Sequence, residues 1–352
     1  MNSVAIVGAG PAGSACALQL ARAGLDVTIF ERTPFPRVKV CGEYLNAGAI
    51  EALRQLGVAD RIRPHVAPIV GIRLHSGGTD VELPFGARAW SIARAQFDEL
   101  LLDAALDAGA RLVNGRVEDV ELTAEQAVVH FRDSSGVLQI LKTARVVGAD
   151  GIGSLVARKA GLALPPRGTP RFALGGHYRG FGDLEGFIEM YVDRHTYFAI
   201  NPIGSECANV MVVVDADRLE AWRGAVDEHL GTAARQLGAG RRSFDGVERI
   251  GKRVAVGPLA HRTRALCAPR VILIGDAAGF VDPFTGQGVM LALGSAIAGA
   301  QAIIQSRPGQ YAFQHGRRIA ARRRLGTTVK MLLRVPRLAL PLAPFLLKAV
   351  TR

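Results

Sequence analysis

A chain of 352 residues, 49% hydrophobic and 21% charged, is long enough for one large or two interleaved domains and excludes a disordered or fibrous protein. The formal net charge is +12, yet ten Lys and Arg and no acid fall between Arg317 and Arg352, which leaves the rest at +2. That distribution excludes nucleic acid as a partner, because the basic surface would then lie on the folded body.

Residues 3–7, SVAIV, predict a buried parallel strand. Residues 12–23 predict a helix and 26–30, DVTIF, the next strand, so the chain opens on a βαβ unit. A helix over 95–108 presents Phe97, Leu100, Leu101, Ala104 and Ala105 on one apolar face. Short strands follow at Arg111–Val113 and Ala144–Gly148, with two alternating segments between them at 116–122 and 126–131. From about 170 the pattern becomes that of an antiparallel sheet, with strands at 172–179, 186–192, 196–200 and 208–214 and a polar helix near 216–237. Residues 271–274, VILI, return to a buried parallel strand, and a helix rich in small residues spans 287–305.

The four cysteines, Cys16, Cys41, Cys207 and Cys267, form no CxxC pair and no zinc-type set, as expected of reduced thiols in a cytoplasmic protein. The first residues run straight into a strand, so a secretory leader is not expected.

Gly8-Ala9-Gly10-Pro11-Ala12-Gly13 is a G-x-G-x-x-G turn between a strand and a helix, the setting that a dinucleotide requires. Gly8 permits the tight turn, Gly10 lets a pyrophosphate approach, and Gly13 lets helix and strand pack closely. The helix N-terminus offers free N–H groups to the phosphates. Glu31 ends the second strand, where a carboxylate can accept hydrogen bonds from an adenosine ribose. A second turn, Gly275-Asp276-Ala277-Ala278-Gly279 with Asp282-Pro283 and Gly286-Gln287-Gly288, closes a buried strand and opens a helix. Asp276 there can bond a ribityl hydroxyl, and the glycine-rich helix start can approach a flavin ring.

Three motifs together resemble the superfamily of class A flavin monooxygenases, flavin-dependent halogenases and geranylgeranyl reductases. They are the stretch GAGPAGSACALQLARAGLDVTIFER, the segment Gly148–Ser154 with Arg158, and the Gly275–Gly288 turn. The resemblance implies an α/β fold: a Rossmann-like FAD-binding domain of the glutathione-reductase type with an inserted, mainly antiparallel sheet and a C-terminal helical tail. The FAD-binding domain is then expected over 1–65, 90–168 and 265–308, the substrate domain over 66–89 and 169–264, and the tail over 309–352. It further implies that Arg94 contacts FAD and that Val117 binds the adenine through its backbone. Pro11, Ala12, Arg32, Cys41, Gly42, Asp150, Gly286, Gly288 and Val289 join the same cofactor set.

The segment Phe35–Glu43 resembles the PR-x-K-x-CG element of geranylgeranyl reductases, which passes close to flavin and substrate. Glu43 departs from it, since many members carry glycine there, and Gln287 stands where reductases often have Glu. The tryptophan-rich W-x-W-x-I-P element of halogenases is absent, and Lys39 reads as a solvated surface lysine. Two enzymatic routes follow: hydroxylation or epoxidation of a hydrophobic or aromatic molecule through a flavin C4a-hydroperoxide, read first, and reduction of a double bond. A third reading is a non-catalytic flavin-binding protein at a membrane. No second G-x-G-x-x-G is present, so NAD(P)H binding transiently or a separate reductase supplies the electrons. Cys41 is the one catalytic candidate, as proton donor, redox group or packing. His177, Tyr178 and Tyr191 fall in the substrate sheet; for His177 a hydrogen-bonded structural role is expected.

The tail mixes basic and apolar residues, and its prolines at 336, 341 and 344 exclude a spanning helix. It fits equally a peripheral layer on an anionic bilayer and a helix docked on the FAD domain with a solvated basic face.

Overall fold

The computed structural model describes residues 3–193, 195–237, 244–280 and 282–333. The chain opens with β1 (Ser3–Val7), α1 (Pro11–Arg22) and β2 (Asp26–Glu31). The Cys41 segment leads into β3 (Tyr44–Leu45), α2 (Ala47–Gln55), α3 (Ala59–Ile62) and a hairpin of β4 (Ala67–Ser76) and β5 (Thr79–Ser91). Next come α4 (Arg94–Asp107), β6 (Arg111–Leu122), β7 (Ala127–Asp133), β8 (Leu138–Thr143), β9 (Arg145–Gly148), α5 (Leu155–Lys159) and β10 (Ala163–Leu164). The inserted part holds β11 (Arg171–Arg179), β12 (Phe187–Val192), β13 (Thr196–Pro202), β14 (Ala208–Asp215), α6 (Leu219–Leu237) and β15 (Glu248–Val256). The chain returns through β16 (Arg262–Thr263), β17 (Cys267–Ala268), β18 (Val271–Leu273), α7 (Gly288–Ile304) and α8 (Pro308–Leu333).

Two eight-stranded sheets result. The first has the order β17-β18-β9-β1-β2-β6-β7-β8. Its central strands β18, β9, β1, β2 and β6 run parallel. Val4, Ala5, Ile6, Val27 and Ile29 are buried on both faces, as parallel strands under helices require. Helices α1, α4 and α7 supply the rest of that core through Leu18, Phe97, Leu101 and Leu293. The second sheet has the order β15-β11-β14-β13-β12-β4-β5-β3 and is antiparallel except where β12 meets β4. One face of it packs on α6, with Val210, Val212 and Val214 against Trp222, Val226 and Leu230.

Several expectations change. β6 is one strand over Arg111–Leu122, not two, because it leaves the parallel sheet and continues as the first strand of an antiparallel meander with β7 and β8. β3 lies within the segment assigned to the FAD domain but pairs with β5 in the second sheet. The described part of the tail is the helix α8, docked on the FAD domain: Tyr311, His315 and Ile319 are buried, and the Tyr311 hydroxyl donates to Leu273 O at 2.6 Å. Arg334, Arg337, Lys348 and the three prolines lie outside the described residues. No described helix is long and apolar enough to cross a membrane.

Candidate functional site

A cavity of 1170 Å³ runs between the two sheets, beyond the roughly 300–1,000 Å³ of ordinary small-molecule pockets. Its two ends differ in chemistry. Among the described residues, every charged side chain on its wall belongs to one end, built from the β1–α1 turn, the end of β2, the Cys41 segment, the start of α4, β6, α5 and the turns after β9 and β18. The other end is apolar, lined from the second sheet by Ile72, Leu74, Ile188, Met190, Met211 and Val213, with Phe284 facing them.

The charged end fits a dinucleotide. A Cβ at Gly13 would stand 1.8 Å from Gly8 O, and one at Gly8, where φ is 102°, would stand 2.5 Å from Ala149 O, so both glycines are dictated by packing. A Cβ at Gly10 would find nothing nearer than Arg37 Nη2 at 3.9 Å, and Gly42 and Gly288 have no neighbour within 4 Å. These three glycines leave open a cradle that side chains would fill. Pro11 begins α1, where its missing N–H is no loss, and Ala12 lines the cavity beside it. The α1 N-terminus therefore faces the cavity, ready for an anion.

Glu31 is buried. Its carboxylate accepts the Ala9 N–H at 3.0 Å and the Thr33 N–H at 3.1 Å, and meets Arg37 at 3.2 Å. Arg37 also donates to Ala9 O at 2.9 Å and lies 3.4 Å from Asp98, so one buried guanidinium ties the glycine loop to β2 and α4. Arg32 is exposed at the rim. Val117 lines the cavity beside a bulge at Glu118, where β6 breaks register with β7. Asp150 lines it too, but its carboxylate accepts the Leu155 N–H at 2.6 Å and the Val156 N–H at 3.2 Å, so it also caps α5; burial raises its pKa against the pull of Ser154.

Arg94 opens α4. Its guanidinium makes a two-point contact with Asp98 at 2.7 and 2.8 Å. It also reaches the Cys41 sulfur. Burial works against its charge, but Asp98 and Cys41 outweigh that and raise its pKa. Asp276 borders the cavity at the opposite turn, where burial lifts its pKa to about 6 while Arg94 draws it down. Gly286 has a φ of 62° and sits with Gly288 and Val289 on the same wall.

Cys41 lies where the charged and apolar ends meet, with Val40, Gly42 and Tyr44 beside it on the wall. Its surface is half-buried because it borders the cavity, yet protein surrounds it, and burial raises its thiol pKa against the opposing pull of Arg94. The group is therefore a neutral thiol at neutral pH and can hold a proton for transfer.

Lys39 is not the solvated surface lysine expected. It is half-buried on the cavity wall, where burial and then Arg37 lower its pKa. Tyr178 and Tyr191 do not reach the cavity; they face α6, with hydroxyls on Asp227 at 2.5 Å and Glu189 at 3.0 Å. His177 pairs with Glu43 at 2.8 Å, in line with the structural role expected of it. Sequence reasoning missed Arg37, Asn201 and Asn209. The signal for the two asparagines is a polar residue on the same face of the strand as its apolar neighbours two places away.

A family model described as FAD binding domain matches residues 1–310. A menaquinone reductase of Mycolicibacterium smegmatis is 30% identical over 312 residues, covering 81% of this chain and 72% of the relative. A 1H-pyrrole-2-carbonyl-[peptidyl-carrier protein] brominase of Pseudoalteromonas luteoviolacea is 27% identical over 321 residues, covering 87% of this chain and 78% of the relative. The solved structure of CmlS, a flavin-dependent halogenase, superposes with a TM-score of 0.83 at 27% identity, covering 94% of this chain and 64% of that one. The chain thus belongs to the FAD binding domain family and is an FAD-dependent oxidoreductase with the fold of the flavin halogenases and reductases.

Proposed function

We propose that the chain reduces a carbon–carbon double bond in a hydrophobic, isoprenoid-bearing molecule such as a prenylated quinone. The observation that carries this reading is the place of the Cys41 thiol on the cavity wall, with the Arg94 guanidinium at its sulfur. When bound and reduced, FAD supplies the hydride for such a double bond. Cys41 supplies the proton to the second carbon, and solvent restores it. Arg94, held by Asp98, keeps a fixed positive charge beside the sulfur and stabilises the thiolate left after transfer. Ile188, Met190, Met211 and Val213 exclude water and grip an apolar chain by area rather than by hydrogen bonds.

Two similarities support the reading: the Phe35–Glu43 segment resembles that of geranylgeranyl reductases, and a menaquinone reductase is among the relatives. Transfer of oxygen, the first reading of the sequence, requires no proton donor at this point, whereas a thiol on the cavity wall supports the proton delivery that reduction needs. NAD(P)H or a separate reductase remains the electron source under this reading. Because a prenyl substrate resides in a bilayer, the exposed Arg317, Arg318 and Arg324 of α8 offer a cationic face to anionic headgroups.

The test is anaerobic photoreduction of the FAD-loaded protein in the presence of a menaquinone. After any quinol is reoxidised in air, the product should retain two hydrogens added to its side chain, and Cys41→Ser should keep FAD while lowering formation of that product roughly 10²-fold. A product that forms only with oxygen and carries labelled oxygen, or one that requires halide, overturns the proposal.

A further inference from the structure

A row of polar side chains crosses the cavity-facing side of the second sheet. His177 on β11 lies opposite Asn209 on β14, and Asn209 lies opposite Asn201 on β13. Two residues further along, the same face carries Met211 and Ala199, which line the apolar end of the cavity.

All three side chains reach one short segment. Asn209 Nδ2 donates to Cys41 O at 2.6 Å. Asn201 Nδ2 donates to Gly42 O at 2.8 Å and to Glu43 O at 3.1 Å. His177 Nε2 lies 2.8 Å from Glu43 Oε2. The other carboxylate oxygen of Glu43 accepts the Arg94 backbone N–H at 2.7 Å, and the Glu43 N–H points at Cys41 Sγ at 3.3 Å. Asn209, Asn201 and Glu43 are 1%, 2% and 3% exposed, so these bonds form in a medium where an unpaired polar group is costly.

Glu43 adopts a φ of 56°, a left-handed conformation that glycine would take more readily. The side chain that makes this conformation unfavourable is also the one that joins α4 to the second sheet. Holding it there requires the partners to over-determine the geometry, which His177 and Arg94 do from opposite sides.

We propose that His177, Asn209, Asn201 and Glu43 are positioning residues for Cys41: they fasten the 41–43 segment from the substrate side, so that the sulfur stays at the junction of the cavity and is shielded from bulk water. No described member of the row other than Asn201 lines the cavity, so the row acts on the thiol through the backbone that carries it. The inference deepens the reading of Cys41 as the proton donor, but its test needs no substrate.

The experiment follows alkylation of Cys41 by iodoacetamide in the FAD-loaded protein across pH, resolved by peptide mass spectrometry, with the fully buried Cys16 as internal reference. Asn209→Ala and His177→Ala should each speed alkylation of Cys41 about tenfold and shift its pH profile downward. Cys16 should keep its wild-type rate, and His177→Gln, which still donates to Glu43, should restore slow alkylation of Cys41. Unchanged Cys41 rates overturn the proposal. So does a Cys16 rate that rises in step, because the row would then stabilise only the fold. A His177→Gln rate equal to that of His177→Ala overturns the hydrogen-bond role of His177. A failed search for reduced product leaves these rates untouched, so the two proposals fail separately.

Discussion

Gly10 and Gly13 stand three residues apart in one turn, and the structure predicts opposite consequences for the same substitution. A methyl group at Gly13 would lie 1.8 Å from Gly8 O, where contacts under 3.0 Å essentially never occur. Helix α1 and the turn would have to separate by about 1 Å, and overpacking of this kind costs about 1–3 kcal/mol or more. At the upper figure the unfolding constant rises by roughly two decades. At Gly10 the added methyl meets only Arg37 Nη2 at 3.9 Å, and the backbone there, at φ −78°, suits alanine. The entropic gain from losing a glycine is offset by a poorer helix cap, so stability should stay within about 0.5 kcal/mol. The methyl nevertheless points into the cradle where a pyrophosphate must approach. Gly13→Ala should therefore lower the urea midpoint of the deflavinated protein, while Gly10→Ala should keep that midpoint and weaken FAD binding about tenfold or more, read by fluorescence titration. Wild-type FAD affinity in Gly10→Ala would show that the loop does not face the ligand. Wild-type stability in Gly13→Ala would refute the packing argument.

Arg37→Ala removes the shared partner of Glu31 and Asp98 from a site whose side chains are 0–5% exposed, and thermal unfolding should show a loss of about 3 kcal/mol. Asp276→Asn should stabilise the deflavinated protein on the order of 1–3 kcal/mol above pH 6. That gain should vanish below about pH 4, because the carboxyl, lifted to about 6 in the folded state, opposes folding only where it is ionised. The Glu43 contact raises the His177 pKa, so stability lost in His177→Ala should be greatest at acid pH and shrink as pH rises through that raised value, measured by denaturation at fixed ionic strength. Shortening the chain at residue 333 and neutralising Arg317, Arg318 and Arg324 should reduce sedimentation with anionic vesicles; equal sedimentation excludes the α8 face as a headgroup site.

The β1-α1-β2 unit and the turn after β18 are legible in sequence because their signals are local: an apolar run, glycines at fixed spacing and an acid at the strand end. β6 defeats the same reading at Asn114-Gly115, which looks like a turn. Gly115 instead lies within the strand, where a Cβ would stand 2.9 Å from Arg132 O on β7. β15 was missed because it is largely exposed and carries Gly251 between the charged pairs Glu248-Arg249 and Lys252-Arg253, so it lacks an apolar period. The fastening of Cys41 was illegible for a different reason. Its bonds join residues 134, 159 and 168 positions apart, and no local pattern records them.

The two ends of the cavity draw on separate hydrophobic clusters, one under the parallel sheet and one containing Ile69, Ala173, Ile188, Met190 and Val213. A change on the apolar wall is therefore met by a cluster separate from the one under the parallel sheet, touching the cofactor side through Val40, Tyr44 and Phe284. Evolution can retool what the enzyme accepts while its redox apparatus is inherited intact, as a workshop keeps its motor and changes the die. Relatives as different as a brominase and a menaquinone reductase on one scaffold are what such a division of labour would produce.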